Sequence, residues 1–255
     1  MQIEGLKGRT AIVTAAGQNI GRAIALAFAR AGANVVVNGL TDLAKLEGVA
    51  REAESFGIGA LPVLADASDW PAVDALVARA VERFGGVDIA VPAVGIRPRQ
   101  AFEEISVEDW DRVVRANLDS AFYLDRAVLP GMRQRRFGRI IHLSGSDAIF
   151  PMANRAHVIA SKAGLHGLAK AIAVEYGPDG ITANSIAPGW IDTPMLRKAI
   201  SADAERERKI RGRIQIEGFG APEDVGWAVV YLCSEAARYV TGVILPIDGG
   251  GHASF

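Results

Sequence analysis

The chain has 255 residues, 50% of them hydrophobic, enough for one large core or two small ones. Its 28 Lys and Arg offset 29 Asp and Glu, a net charge of -1 that gives no sign of a nucleic-acid or anionic-membrane partner. One cysteine, Cys233, excludes an internal disulfide; no apolar stretch can span a bilayer and "MQIEGLKGRTAIVT" carries no signal-type apolar region, so a soluble cytoplasmic protein is expected.

Short β-branched runs alternate with longer helical patterns along the whole chain. In order, the runs are "TAIVT", "NVVVN", "GALPVL", "VDIAV", "GRIIHLS", "GITANSIA" and "VILPID". They are apolar almost throughout, as strands covered on both faces are. Helix start signals lie between them. Pro71 falls in a first turn after Ser68 and Asp69, with Asp69 as the cap. Ser106 and Asp109 have capping-box spacing before "WDRVVRANL". No repeat, low-complexity tract or linker divides the chain, so a single domain over 1–255 is expected. Alternating β and α units of this length predict an α/β fold with a doubly wound parallel sheet.

The first unit, "TAIVTAAGQNIGRAIALAFARAGANVVVN", reads as strand, loop, helix and second strand. A dinucleotide fold needs a loop here that lets backbone approach a pyrophosphate at the helix N-terminus, and Gly17 and Gly21 meet that need. At this point the sequence resembles the short-chain dehydrogenase/reductase family, which writes Thr-Gly-x-x-x-Gly-x-Gly. Thr14 and Gly21 match. Ala15 and Asn19 stand for the first two glycines, and Asn19 is the milder change because asparagine tolerates a left-handed backbone. "NSIAPGWIDTPM" and "GAPEDVGWAVVYLCSEAARYVTGVILPIDGG" extend the resemblance to nearly the whole chain.

The resemblance implies a Rossmann fold of seven strands in the order 3-2-1-4-5-6-7, a mobile substrate lid at about 192–217, and a homotetramer. For that assembly Ala160, Ala163, Gly164 and Gly167 supply a smooth helix face. It also implies NAD or NADP held by Gly17, Asn19, Ile20, Gly21, Asp66, Ala67, Gly95, Lys162, Pro188, Gly189, Ile191 and Thr193. The end of the second strand, where an acid favours NAD and an arginine NADP, has Gly39 and no arginine, so the two cofactors stay open. No metal set is expected.

The family's chemistry uses a Tyr as proton donor, a Lys that lowers its pKa, a Ser on the substrate oxygen and an Asn in a proton relay. Asn117 and Lys162 match. Val158 stands at the Tyr and Gly145 at the Ser, with Ser144 and Ser146 on either side. The family's Asn-Asn-Ala-Gly is "PAVG", ending at Gly95. His157, next to Val158, is the nearest replacement acid, but a regular helix turns it about 100° away. His142 reads as structural, and His166 as a candidate for a subunit interface. Arg97, Arg99 and Arg155 near the cleft would suit an anionic small-molecule substrate, or are solvated loop arginines. Three functions stay open: an oxidoreductase with atypical acid–base groups, a non-redox lyase or hydrolase using Lys162, His157 and a serine, and a non-catalytic subunit.

Overall fold

The structure is a computed structural model, described over residues 5–201 and 204–253. Seven parallel strands form one sheet in the order β3-β2-β1-β4-β5-β6-β7. They are β1 (Thr10–Val13), β2 (Asn34–Gly39), β3 (Ala60–Leu64), β4 (Ile89–Val91), β5 (Gly138–Leu143), β6 (Ile181–Pro188) and β7 (Ile244–Ile247). Every run read from the sequence is a strand, its ends shifted by no more than two residues.

The apolar runs feed two cores. Strand side chains alternate between faces, so Ala11, Val13, Val35, Val37, Ile89 and Val91 enter one core while Ile12, Val36 and Ala90 enter the other. The first core is closed by α1 (Asn19–Arg30), α2 (Leu43–Glu54) and α9 (Pro222–Cys233). The second is closed by α3 (Trp70–Phe84), α5 (Ser120–Arg135) and α6 (Ala156–Tyr176). Each fully buried Ile, Val or Phe contributes about 1.5–3 kcal/mol, which is why a sheet covered on both sides needs no polar alternation. Gly226 lets α9 lie on α1: a Cβ there would stand 3.0 Å from the Ala23 carbonyl oxygen.

The start signals hold. Asp69 caps α3 by accepting from the Ala72 amide, and Ser106 Oγ caps α4 (Val107–Val114) by accepting from the Asp109 amide. The Asp109 carboxylate does not complete a capping box; it accepts from Gln100 and Arg112 instead. The chain departs from a regular helix at Asn117: a π-turn, Arg115–Asp119, separates α4 from α5 and places Asn117 inside.

The segment expected to form a lid holds α7 (Pro194–Ile200) and α8 (Ala204–Arg211), joined by a small cluster of Leu196, Ile200 and Ile210. Positions 202 and 203 of the expected lid lie outside the described residues. No helix among the described residues is long and apolar enough to cross a membrane.

Candidate active site

The carboxyl ends of β1, β4, β5 and β6 face one cleft of about 650 Å³. It opens beside the point where strand order reverses between β1 and β4, the standard ligand position of such sheets.

At its nucleotide end, Thr14 ties the loop after β1 to β4: its Oγ1 accepts from the Ala93 amide at 2.8 Å, and its own amide donates to the Val91 carbonyl. The loop then turns through two left-handed residues, Ala15 (φ 50°) and Asn19 (φ 51°). Gly21 is required by packing, because a Cβ there would fall 2.3 Å from the Ala15 carbonyl oxygen. No side chain caps α1 at Gln18, so its first-turn amides and positive dipole end are available to a phosphate. Asn19, Ile20 and Gly21 line the cleft, whereas Gly17 is not among its walls and packs toward Leu46.

Asp66 and Ala67 follow β3 and are not among the cleft walls either; Asp66 Oδ1 accepts from the Ser68 amide and hydroxyl. At the end of β2, a side chain at position 39 would meet Leu46 Cδ2 at 2.9 Å, so glycine there is a packing choice. Asp42 caps α2 through the Lys45 amide. On the other wall, Pro188, Gly189, Ile191 and Thr193 all line the cleft. Gly189 donates to the Ile247 carbonyl, and Thr193 caps α7 by accepting from the Leu196 amide.

The chemical end is built around Lys162, which is 4% exposed. Its Nζ donates to the carbonyls of Leu143 (2.7 Å) and Val94 (3.2 Å). Gly95 makes room for it, since a Cβ there would stand 3.1 Å from Nζ. Burial, joined by the nearby Arg97 charge and only partly opposed by Asp147, brings the Lys162 ammonium down to about 7. Asn117 fixes the segment behind it. Its Oδ1 accepts from the Ile96 amide at 2.8 Å, and its Nδ2 donates to the Ile96 carbonyl and Ser161 Oγ.

The other expected groups are placed differently. Val158 is fully buried in α6 and is not a cleft wall. His157 is also fully buried outside the cleft, with Nε2 3.1 Å from Gln100 Oε1 and its pKa lowered by burial. The structure therefore does not bring His157 to Lys162; the first turn of α6 is regular, and the rotation of one helical position carries the imidazole away. Ser144 reaches the cleft wall, but its hydroxyl donates to the Ile186 carbonyl and faces His166 Nε2. Ser146 lines the cleft at the start of a short 3₁₀ turn.

His166 is a correction: it is buried against Ser144, not offered to a neighbouring subunit. Gly164 is another, because Leu118 of the same chain fills the space beside it. His142 is structural as read, paired with Asp125 at 2.8 Å inside the core.

The residue that sequence reasoning missed is Asp147. It lines the cleft and accepts from Arg97 (2.8 Å) and Arg155 (3.0 Å). Arg97 and Arg155 border the cleft as expected, but paired with this carboxylate, and Arg99 is not a wall. Nothing in the sequence links positions 97, 147 and 155 except that each follows a strand or precedes a helix at the same end of the sheet.

Comparison with known proteins agrees with this frame. A family model described as enoyl-(acyl carrier protein) reductase matches residues 14–252. A D-beta-hydroxybutyrate dehydrogenase of Cupriavidus necator is 38% identical, over 96% of this chain and 98% of that one. A 3beta-hydroxysteroid dehydrogenase of Eggerthella lenta is 39% identical, over 96% and 94%. The crystal structure of a protein from Sinorhizobium meliloti described as a short-chain alcohol dehydrogenase superposes with a TM-score of 0.94 at 33% identity, covering 99% of this chain and 100% of that one. The chain belongs to the short-chain dehydrogenase/reductase family. The cofactor of that family is NAD or NADP. The residues here fit such a group: the open amides at the start of α1 are donors suited to phosphate oxygens, and the absence of a side chain at Gly21 lets the loop pack tightly beside them.

Proposed function

We propose that this protein is an NAD(P)-dependent oxidoreductase that interconverts a hydroxyl and a carbonyl on a small molecule, with Lys162 in place of the missing tyrosine as the proton-transfer group. One domain over 1–255 carries the site, the segment at about 192–217 is its lid, and the working form is a cytoplasmic homotetramer. When bound, the nicotinamide supplies the site for hydride gain or loss. The phosphate-side contacts come from Asn19, Ile20 and Gly21, with Gly17 shaping the turn and Asp66 and Ala67 at the adenine side. Pro188, Gly189, Ile191 and Thr193 wall the nicotinamide side.

The observation that carries the reading is the hydrogen bonding of Lys162 Nζ. A neutral amine has two N–H bonds and one lone pair. Its two donors are taken by the Val94 and Leu143 carbonyls, so the lone pair has one direction left. In alcohol oxidation, hydride leaves the carbon while the hydroxyl proton passes to that lone pair. In carbonyl reduction the third N–H of the ammonium donates to the developing alkoxide. A poised pKa near neutrality suits both directions. Asn117 acts as a positioning residue: it holds Ile96, and through it the Val94–Gly95 backbone against which Nζ rests. Ser146 is at the cleft wall, where its hydroxyl can meet a substrate oxygen.

Fluorescence titration of the purified protein with NADH and NADPH tests the cofactor half. Saturable binding of at least one is expected, and no binding of either at millimolar concentration sinks the oxidoreductase reading in favour of non-redox chemistry. Lys162→Met tests the acid–base half: turnover should fall by at least about 10²–10⁴-fold with cofactor still bound.

A further inference from the structure

Asp147 is a buried charge that the reaction above does not use. Its side chain is 3% exposed, and both arginines bind the same oxygen: Oδ2 accepts from Arg97 Nη2 at 2.8 Å and from Arg155 Nη1 at 3.0 Å. Oδ1 has no hydrogen-bond partner among the described residues. A buried carboxylate oxygen without a donor is costly, and native structures rarely leave one so. Burial opposes ionisation here, but Arg97 and Arg155 more than offset it, and the Asp147 pKa lies below the usual carboxylate value. The group is therefore an anion that only accepts hydrogen bonds.

The place of the orphaned oxygen is informative. Oδ1 lies 2.8 Å from where a Cβ would stand on Gly145, the position at which the family's chemistry sets a serine against the substrate oxygen. The carboxylate thus fills, from two residues further on, the space that a serine side chain would enter. Arg97 Nη2 is 3.9 Å from the same point. Arg97 is 34% exposed and Arg155 12%, so Arg97 is the more open of the two partners.

We propose that Asp147 Oδ1 is a substrate-binding group, taking a hydrogen bond from an O–H or N–H that the substrate carries beside its reacting carbon. The substrate class is then a neutral vicinal hydroxy compound, a diol or hydroxy ketone, and not a carboxylic acid. A substrate carboxylate placed at Oδ1 would meet like charge at contact distance, where a hydroxyl can donate, and the net positive charge of Arg97, Arg155 and Asp147 together acts only further out. This inference rests on the oxidoreductase reading for the reacting carbon, but its contact with Asp147 can be measured without turnover.

Ligand-observed NMR titration of the full chain with cis-1,2-cyclohexanediol, cyclohexanol and cyclohexanecarboxylate, with and without saturating NADH, makes the test. The diol should bind about 10- to 100-fold more tightly than cyclohexanol, the range set by one buried polar group left unpaired. In Asp147→Asn the arginines hold the amide oxygen and turn the NH₂ toward the substrate, so the charge-assisted acceptor is replaced by a neutral donor to the hydroxyl oxygen, and the preference should fall by at least about threefold. If that variant fails to fold, Gly145→Ala serves instead, since its methyl displaces Oδ1 while Asp147 and both arginines remain. Equal binding of diol and cyclohexanol by the wild type, no binding of either, or carboxylate binding as tight as the diol overturns the proposal. A diol preference that persists in a protein binding neither nicotinamide would overturn the oxidoreductase reading and leave Asp147 in its role.

Discussion

At Lys162 a burial effect becomes a pH dependence with a definite sign. Its folded pKa is brought to about 7, with desolvation the largest cause. Alcohol oxidation needs the neutral amine, so its rate should rise as pH increases through about 7. Carbonyl reduction needs the ammonium and should fall over the same interval. Steady-state profiles in both directions check this, and a family-like tyrosine profile inflecting well above 7 would remove Lys162 from the proton transfer. The same shift acts on stability. Between about 7 and the ordinary lysine range of 10.5 the unfolded chain binds the proton and the folded chain does not, so stability should climb with pH there and flatten below 7. Ala15 is the second informative residue. Its φ of 50° is a left-handed conformation that costs an alanine about 1–2 kcal/mol. Ala15→Gly should raise Tm by about 2–4 °C after the glycine's own entropy is subtracted, and should tighten nicotinamide binding by removing a methyl from the phosphate loop. Calorimetric melting and cofactor titration read the two effects separately.

The segment from β5 to α6 shows why the site was only partly legible in the sequence. Val158 and Gly145 are visible as departures because each occupies one fixed place in a motif. Asp147 is not, because it enters the serine's space from a 3₁₀ turn whose path no local pattern announces. Asn117 was found by its place in the family pattern, yet the π-turn that swings it inward has no periodicity of its own. The strands, in contrast, were legible because burial on both faces writes short apolar runs set between helix start signals; the equally apolar "WAVVYLC" of α9 shows that the run alone does not suffice. This segment also decides whether family chemistry can be restored. Val158→Tyr with Gly145→Ser returns the two lost side chains, but the new Cβ at 145 would stand 2.8 Å from Asp147 Oδ1. The double variant should therefore gain nothing over the wild type in reduction of a generic diketone. Adding Asp147→Ala clears the space, and the triple variant should gain about 10²–10⁴-fold in reduction of a generic diketone. Activity of the double variant equal to that of the triple would show that Asp147 does not obstruct the serine.

For the whole molecule, the remaining question is what covers the outer face of α6. Its inner face is spent on Ser161, Lys162, Leu165 and His166, and Gly164 is occupied by Leu118 of the same chain. The outer face presents Ala160, Ala163, Gly167, Ala171 and Val174, spaced three or four apart and hence on one side of a helix. A Cβ at Gly167 would meet nothing within 4 Å, and Val174 is 81% exposed. Phe122 on α5 adds an exposed ring at 43%. A smooth apolar stripe along a 21-residue helix, about 31 Å long, is a surface against which a second copy can lie closely. Two such helices with their α5 neighbours can reach the roughly 1,200–2,000 Å² that a stable interface buries. We expect light scattering at micromolar concentration to give the mass of a tetramer. Gly167→Arg should split it into smaller species, since the new side chain would enter the helix contact, while leaving the intrachain packing at Gly164 untouched. A monomeric wild type would refute the assembly. An unchanged mass for Gly167→Arg would move the interface away from α6.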